Sequence, residues 1–258
     1  MNRKYILKYI TSLFLFFTFT QIHAQQDSTV VKAVKKIAKV SDSIEYKDKY
    51  GLRLGIDISK PALSFAKSNY TGLEITGDFR LSKNLYIAAE IGNENKTTTE
   101  DYYTYNSKGS YLKGGIDYNV YDNWYGMQNI ISIGARLGIT SFKQDLQNYT
   151  LYNANPYWNE DVNGDINDIL GEKSGLSAQW LEFVISMKVE VLNNVYMGPA
   201  INLKFLMNNT SAANFPNLWM PGFNTVTEGS KFGVGFNYTI SYLIPIFKKT
   251  HKVSIKPK

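Results

Sequence analysis

The sequence lacks cysteine and contains only two histidines among its 258 residues. Without a thiol, the chain offers no cysteine for a lipid anchor, a disulfide, thiol catalysis or a metal site. His23 lies near the start of the chain and His251 near its end, so a hydrolase or metal centre built on histidine is not expected. Chemistry that uses carboxylates alone stays open, but the composition favours a protein that is not an enzyme.

Long apolar runs are equally scarce. Residues 1–24 are typical of a secretory signal peptide, because the basic residues Arg3, Lys4 and Lys8 precede the apolar stretch 10–22. After residue 24, no stretch approaches the roughly 20 apolar residues that a membrane helix needs. Insertion into a membrane would therefore have to use β-strands.

The net charge of +6 is distributed unevenly along the chain. Residues 25–49 form a polar leader with six lysines, and residues 248–258 form a basic tail with five. Residues 50–247 hold 14 basic and 18 acidic residues. Because the basic excess belongs to the two ends, it does not indicate a nucleic-acid partner. The leader is interpreted as a periplasmic linker, with a short amphipathic helix that docks on a surface as the alternative.

Between residues 50 and 247 the sequence repeats a unit of about ten residues that alternates apolar and polar side chains. Eight such runs are separated by connections that are short and long in turn. This pattern predicts an all-β domain, an eight-stranded antiparallel up-and-down transmembrane β-barrel. The short connections are then periplasmic turns at 82–84, 121–126 and 193–194, and the long ones are external loops at 59–71, 93–110, 141–177 and 207–231.

The polar face of the runs indicates which side of the barrel points inward. It carries most of the strand glycines, which weaken a solvated strand but make room inside a narrow barrel. A soluble lipocalin-like barrel would turn its apolar face inward instead. Because buried charges must pair, the nearly balanced charges of this face are expected to fill the lumen rather than to line a pore. The predicted lumen charge network consists of Arg53, Asp57, Glu74, Asp78, Arg80, Glu90, Lys113, Asp117, Arg136, Glu182, Lys188, Glu190 and Lys204.

The longest predicted loop contains a weak candidate for a calcium site. Its possible ligands alternate along the chain and end eleven residues after the first: Asp161, Asn163, Asp165, Asn167 and Glu172. This spacing is similar to that of an EF-hand loop. The glycine that such a loop needs at its sixth position is replaced by Ile166, so a solvated acidic loop is the competing interpretation. No other metal and no cofactor is predicted.

Several motifs resemble those of a known family. They lie at residues 49–55, 109–113, 123–127, 174–178, 180–182, 221–224 and 233–245. Over residues 46–247 the chain resembles the uncharacterised outer-membrane β-barrel proteins of Bacteroidota-type bacteria, a domain of unknown function. The resemblance implies the fold and a location in the outer membrane, but it implies no activity, cofactor or catalytic residue.

Three functions remain open on the sequence alone. The first is a non-enzymatic outer-membrane protein with a structural or surface-recognition role. The second is a narrow porin-like channel or small-ligand carrier that uses the lumen. The third is a subunit of an envelope complex that binds an envelope protein through residues 25–49 and 248–258. Outer-membrane lipid and the barrel-assembly machinery are expected partners in each case.

Overall fold

The computed structural model describes residues 43–123, 127–150, 169–211, 216–226 and 231–254 of the chain. Its elements, in chain order, are β1 (Ser43–Asp57), α1 (Ser59–Ala66), β2 (Tyr70–Arg80), β3 (Leu85–Thr99), β4 (Tyr103–Asn119), β5 (Ile130–Tyr149), β6 (Gly171–Leu192), β7 (Val195–Thr210), β8 (Trp219–Met220), β9 (Asn224–Thr225) and β10 (Phe232–Ser254). In this part of the chain, no helix is both long enough and apolar enough to cross a membrane.

Eight of the strands form a closed barrel. Strands β1 to β7 pair in sequence order, and β10 closes the ring between β7 and β1. Every neighbouring pair is antiparallel. The predicted fold class is therefore confirmed. We call the end of the barrel with connections 81–84, 120–129 and 193–194 the turn end, and the end with connections 58–69, 100–102, 150–170 and 211–231 the loop end.

The apolar faces of the strands point outward. Every second residue of β5 is buried from Ile130 to Gln144, and the residues between them are exposed or half-exposed. These outward residues are apolar over residues 131–139, a nine-residue stretch, and polar over residues 141–147. Nine residues is about the length of a tilted strand that crosses a membrane. The outward apolar side chains of the barrel strands form a band that we call the belt; in it Leu54 is 45% and Leu137 60% exposed.

Several strands continue past the belt at the loop end, where the sequence predicts loops. Residues 93–99 of β3 pair with residues 104–110 of β4, and only residues 100–102 connect the two strands. The predicted loop 93–110 is thus wrong, and the predicted loop 141–177 shrinks to residues 150–170. Outward residues beyond a membrane belt face water and are polar, so the apolar–polar alternation stops although the strand does not.

The first and last strands also extend past the predicted limits of the barrel at 50 and 247. β1 and β10 pair from Ser43 and Ser254 up to Asp57 and Thr239, with one register shift beside Tyr50. Residues 43–49 and 248–254 therefore form a two-stranded ribbon at the turn end. We call this segment the ribbon; it takes in the end of the predicted leader and most of the predicted tail.

Candidate functional site

The middle of the lumen holds a buried lysine surrounded by carboxylates. The Lys113 Nζ atom lies 2.5 Å from a Glu90 oxygen, 3.4 Å from Glu74 and 3.7 Å from Glu182. Only 2% of Lys113 is exposed, and Glu182 is fully buried. The second Glu182 oxygen accepts a hydrogen bond from the Trp180 indole N–H at 3.1 Å. A charge at this depth is stable only because it is matched on several sides.

An arginine pair lies beside this lysine. The Arg136 guanidinium donates to both oxygens of Asp117, at 2.6 and 2.8 Å, in a bidentate arrangement. Its Nε atom also lies 3.4 Å from Glu90, which joins the pair to Lys113. Because a bidentate contact fixes the geometry of both side chains, Arg136 and Asp117 are held in one arrangement.

A third cluster lies around Asp78. Its carboxylate is 2.5 Å from the Lys188 ammonium and 3.7 Å from the Arg53 guanidinium. Arg53 also stacks over the Tyr196 ring at 4.3 Å. The aromatic face adds a cation–π contact to the ion pair, so Arg53 is held on two sides.

The turn end brings two further predicted residues to the ribbon. Arg80 lies 3.3 Å from Asp48, and its guanidinium stacks over the Tyr50 ring at 4.6 Å. Glu190 accepts a hydrogen bond from the Lys49 ammonium at 2.9 Å. The partners Asp48 and Lys49 belong to the predicted leader and to no predicted site. The ribbon is therefore fastened to the barrel by two ion pairs.

The remaining two predicted residues make hydrogen bonds rather than ion pairs among the residues described. Asp57 accepts from the Asn237 amide at 2.8 Å and from the Ser59 main-chain N–H at 2.9 Å. Lys204 donates to the Gly222 main-chain oxygen at 2.7 Å. Asp57, the last residue of β1, therefore binds the first residue of α1, and Lys204 holds a segment that enters the lumen from the loop end.

That segment, residues 216–226 with the hairpin β8–β9, forms a plug. Met220 and Phe223 are fully buried, and Phe223 meets the Trp180 ring edge-on at a centroid distance of 6.0 Å. The Ser107 hydroxyl donates to the Trp219 main-chain oxygen at 3.0 Å. The sequence predicts only a loop over 207–231, because a plug that folds inward carries no periodic signal. The motif at residues 221–224, one of those that resemble the known family, lies within the plug.

Glu94 fixes the plug to the wall of the barrel. It accepts from the Gly222 main-chain N–H at 2.7 Å, from the Tyr70 hydroxyl at 2.7 Å and from the Lys60 ammonium at 2.6 Å. Lys60 reaches it from α1. Burial lowers the pKa of Lys60, but the carboxylates of Glu94 and Glu74 outweigh burial and raise this pKa above its usual value. Neither Lys60 nor Glu94 is in the predicted network.

Glycines of the strands leave space for these large side chains. A Cβ atom at Gly92 would lie 2.3 Å from the Tyr111 ring, and one at Gly138 would lie 2.2 Å from the Trp180 indole. Tyr111 in turn donates a hydrogen bond to Glu74. A small cavity of about 40 Å³ lies in the middle of the lumen, and Glu74, Glu90 and Arg136 help to line it. That volume is enough for only a few water molecules.

The wall of the barrel has a gap at the loop end, which we call the notch. The β1 ladder ends at Asp57 opposite Thr239 of β10, and at Ile56 opposite Ile75 of β2. β10 continues to residue 232 and β2 to residue 70, so β1 does not separate them there. Helix α1 packs against both strands, and the Gly72 main-chain N–H donates to the Ser64 hydroxyl at 2.9 Å. A cavity of about 1250 Å³ occupies the notch.

The calcium candidate lies almost wholly outside the described residues, which include only Glu172 of its five members. Glu172 accepts from the exposed Lys143 ammonium at 2.6 Å. Among the described residues, no group of three or more His, Cys, Asp or Glu side chains could hold a metal ion. Calcium binding therefore stays a prediction.

The fold and the lumen define the class of the protein, a closed eight-stranded β-barrel with a packed interior. The chain belongs to the family DUF6048, a domain of unknown function, whose model matches residues 6–249. Membership of a family of unknown function is thus confirmed, whereas its link to Bacteroidota stays a prediction. The comparison with curated proteins found no match.

Among solved structures, the chain is similar to the crystal structure of Ail, the attachment invasion locus protein of Yersinia pestis. The identity is 7% and the TM-score 0.37, with 78% of this chain and 99% of that chain covered. Ail in complex with the heparin analogue sucrose octasulfate gives 7% and 0.35 at the same coverage. A similarity with so low an identity and TM-score supports no conclusion about function.

Proposed function

We propose that the protein is a non-enzymatic β-barrel of the outer membrane that acts at its surface and not through its lumen. The observation that carries this proposal is the contrast between an outward apolar belt and a lumen filled by ion pairs and the plug. A belt of this kind requires lipid around it, because water would leave a large apolar surface exposed. The turn end is then periplasmic and the loop end external.

The lumen is poorly suited to catalysis or conduction. The carboxylates of Glu90 and Asp117 are engaged by Lys113 and Arg136, so they are not available as an acid and base pair. The predicted signal peptide at residues 1–24 fits the same location, since outer-membrane proteins are secreted across the inner membrane. A structural role, or recognition of a ligand at the cell surface, is therefore favoured over an enzyme.

The external end has the rigidity that recognition needs. Strands β4 to β6 project past the belt, and the aromatic and apolar side chains of Tyr105, Leu146 and Trp219 pack together between them. Sites on ordered strands are held more precisely than sites on free loops. The projecting strands thus form a platform for the external connections.

Conductance in planar bilayers tests the filled lumen. The mature protein, reconstituted from detergent, should give no steady single-channel current. The same sample should show heat-modifiable gel mobility, which demonstrates that folded barrel was present. A steady open current from folded protein would refute the proposal and would favour the narrow channel.

The ribbon favours a second candidate, a subunit of an envelope complex. Each of its strands has a ladder partner on one side only among the described residues, and Lys47, Lys248 and Lys249 are exposed on it. A free strand edge can pair with a strand of another protein. Affinity purification from native membranes should recover a partner with the full chain and lose it with a variant that lacks residues 248–258. A partner retained by the truncated variant contradicts this candidate.

A further inference from the structure

The notch joins two chemically different surfaces. One side is lined by side chains of the belt, Ile201, Val234 and Phe236, which are 51%, 67% and 61% exposed. The other side is lined by lysines at the loop end, Lys67 and Lys96. The cavity therefore runs from the region of the hydrocarbon chains to the region of the headgroups.

The lysine side of the notch carries an excess of positive charge, because three lysines line the cavity against the two carboxylates of Glu94 and Glu100. Lys60 is bound by Glu94, whereas the ion pairs formed among the described residues include neither Lys67 nor Lys96. The Lys96 ammonium lies 5.5 Å over the Trp219 ring.

Lys96 stands on the part of β3 beyond the belt. Partial burial and the nearby charge of Lys67 lower the pKa of Lys96, and the carboxylates of Glu94 and Glu100 only partly offset this. A bound anion would relieve the repulsion between the two lysines.

Helix α1 gives the lip of the notch exposed apolar side chains. Phe65 is 93% exposed and Leu63 is 42% exposed on this short helix. Leu63 lines the cavity together with Ala62. Exposed aromatic and apolar side chains on a helix at the edge of the belt are characteristic of the membrane interface. Contact with lipid would remove these apolar side chains from water.

We propose that the notch binds one anionic lipid of the surrounding leaflet. Its acyl chains lie along Ile201, Val234 and Phe236, and its negatively charged headgroup contacts Lys67 and Lys96. A soluble anion would leave the apolar side uncovered, and a lipid without net charge would leave the lysines unmatched. The inference rests on the membrane placement of the proposed function and adds a lipid class and a site to it.

Native mass spectrometry of the purified protein tests the site, with phosphatidylglycerol as the anionic probe and phosphatidylcholine of the same chains as the neutral one. The wild type should retain one phosphatidylglycerol in preference to phosphatidylcholine. The variant Lys67→Gln/Lys96→Gln should bind phosphatidylglycerol roughly thirtyfold more weakly, because two lysine contacts are lost. The matched control Lys83→Gln/Lys108→Gln removes two exposed lysines elsewhere and should bind as the wild type does.

A second variant tests the apolar half of the proposed lipid site. Ala62→Trp places a large ring in the notch and leaves both lysines in place, so it should also weaken retention. Heat-modifiable mobility verifies that each variant is folded. If Lys67→Gln/Lys96→Gln fails to fold, the single variant Lys96→Gln replaces it.

Three results would overturn the lipid site. One is equal retention of phosphatidylglycerol by the Lys67/Lys96 variant and its control. Another is undiminished retention by Ala62→Trp. The third is full displacement of the lipid by millimolar glycerol phosphate, which would indicate a site for a soluble anion. Flotation with phosphatidylcholine vesicles tests the membrane placement separately. Protein that does not float contradicts the proposed function, whereas protein that floats without retaining phosphatidylglycerol contradicts only the notch.

Discussion

At the scale of single residues, the ion pairs of the lumen are stabilising because a buried charge without its partner would cost several kcal/mol of free energy. Arg136→Met leaves Asp117 buried without its bidentate partner, so we expect the free energy of unfolding to fall by about 3–5 kcal/mol. Lys143→Met breaks the exposed pair with Glu172, where solvent screens the charges, and should cost less than about 1 kcal/mol. Urea unfolding in lipid vesicles, followed by tryptophan fluorescence, measures both. Equal losses would show that burial is not what gives the Arg136 pair its importance.

Gly222 allows the plug to fit. Its φ is +79°, and a Cβ atom there would lie 2.6 Å from the Tyr111 ring. Gly175 has nearly the same φ, +76°, but nothing within 4 Å of a Cβ position. Both Gly222→Ala and Gly175→Ala incur the strain of about 1–2 kcal/mol for a left-handed residue, and only Gly222→Ala adds a clash. We expect the larger loss of unfolding free energy at Gly222. Losses of the same size at both positions would contradict the packing of the plug against Tyr111.

Residues of the belt could be assigned from the sequence, and residues beyond it could not. Within the belt, a charge such as Glu74 or Lys113 has to face inward, so strict alternation places it in the lumen. Glu94 stands only two residues past Gly92, but its neighbours Asn93 and Asn95 are polar and the alternation is lost. Lys60 reaches the lumen from a helix, which strand periodicity does not describe. Hence the predicted network includes Lys204 but misses Glu94 and Lys60, which also hold the plug.

At the scale of elements, the seam between β1 and β10 is longer than the barrel requires. Deleting residues 248–258 removes the partners of residues 43–49 but leaves the pairs between Gly51 and Asp57 and their partners Pro245 to Thr239. We therefore expect a closed, heat-modifiable barrel of moderately lower stability. Deleting residues 239–258 removes every partner that β1 has in β10, so the ring cannot close and the heat-modifiable form should be abolished. A short truncation that prevents folding would mean that the ribbon nucleates closure of the barrel.

At the scale of the whole molecule, the lumen is closed at two separate levels. The plug occupies the half of the lumen at the loop end, where Phe223 packs against Trp180, and the ion pairs of Lys113 and Arg136 occupy the middle. The interior of an eight-stranded barrel is only just wide enough for side chains, so either layer alone should block ions.

Replacing residues 217–225 with a short glycine–serine linker removes the plug and leaves the ion pairs in place. We expect this variant to give no steady current in planar bilayers, although it should unfold at a lower urea concentration than the wild type. A steady current from the folded variant would mean that the plug alone seals the lumen. Release of the plug could then open a channel, and the external surface would no longer be the only working part of the protein.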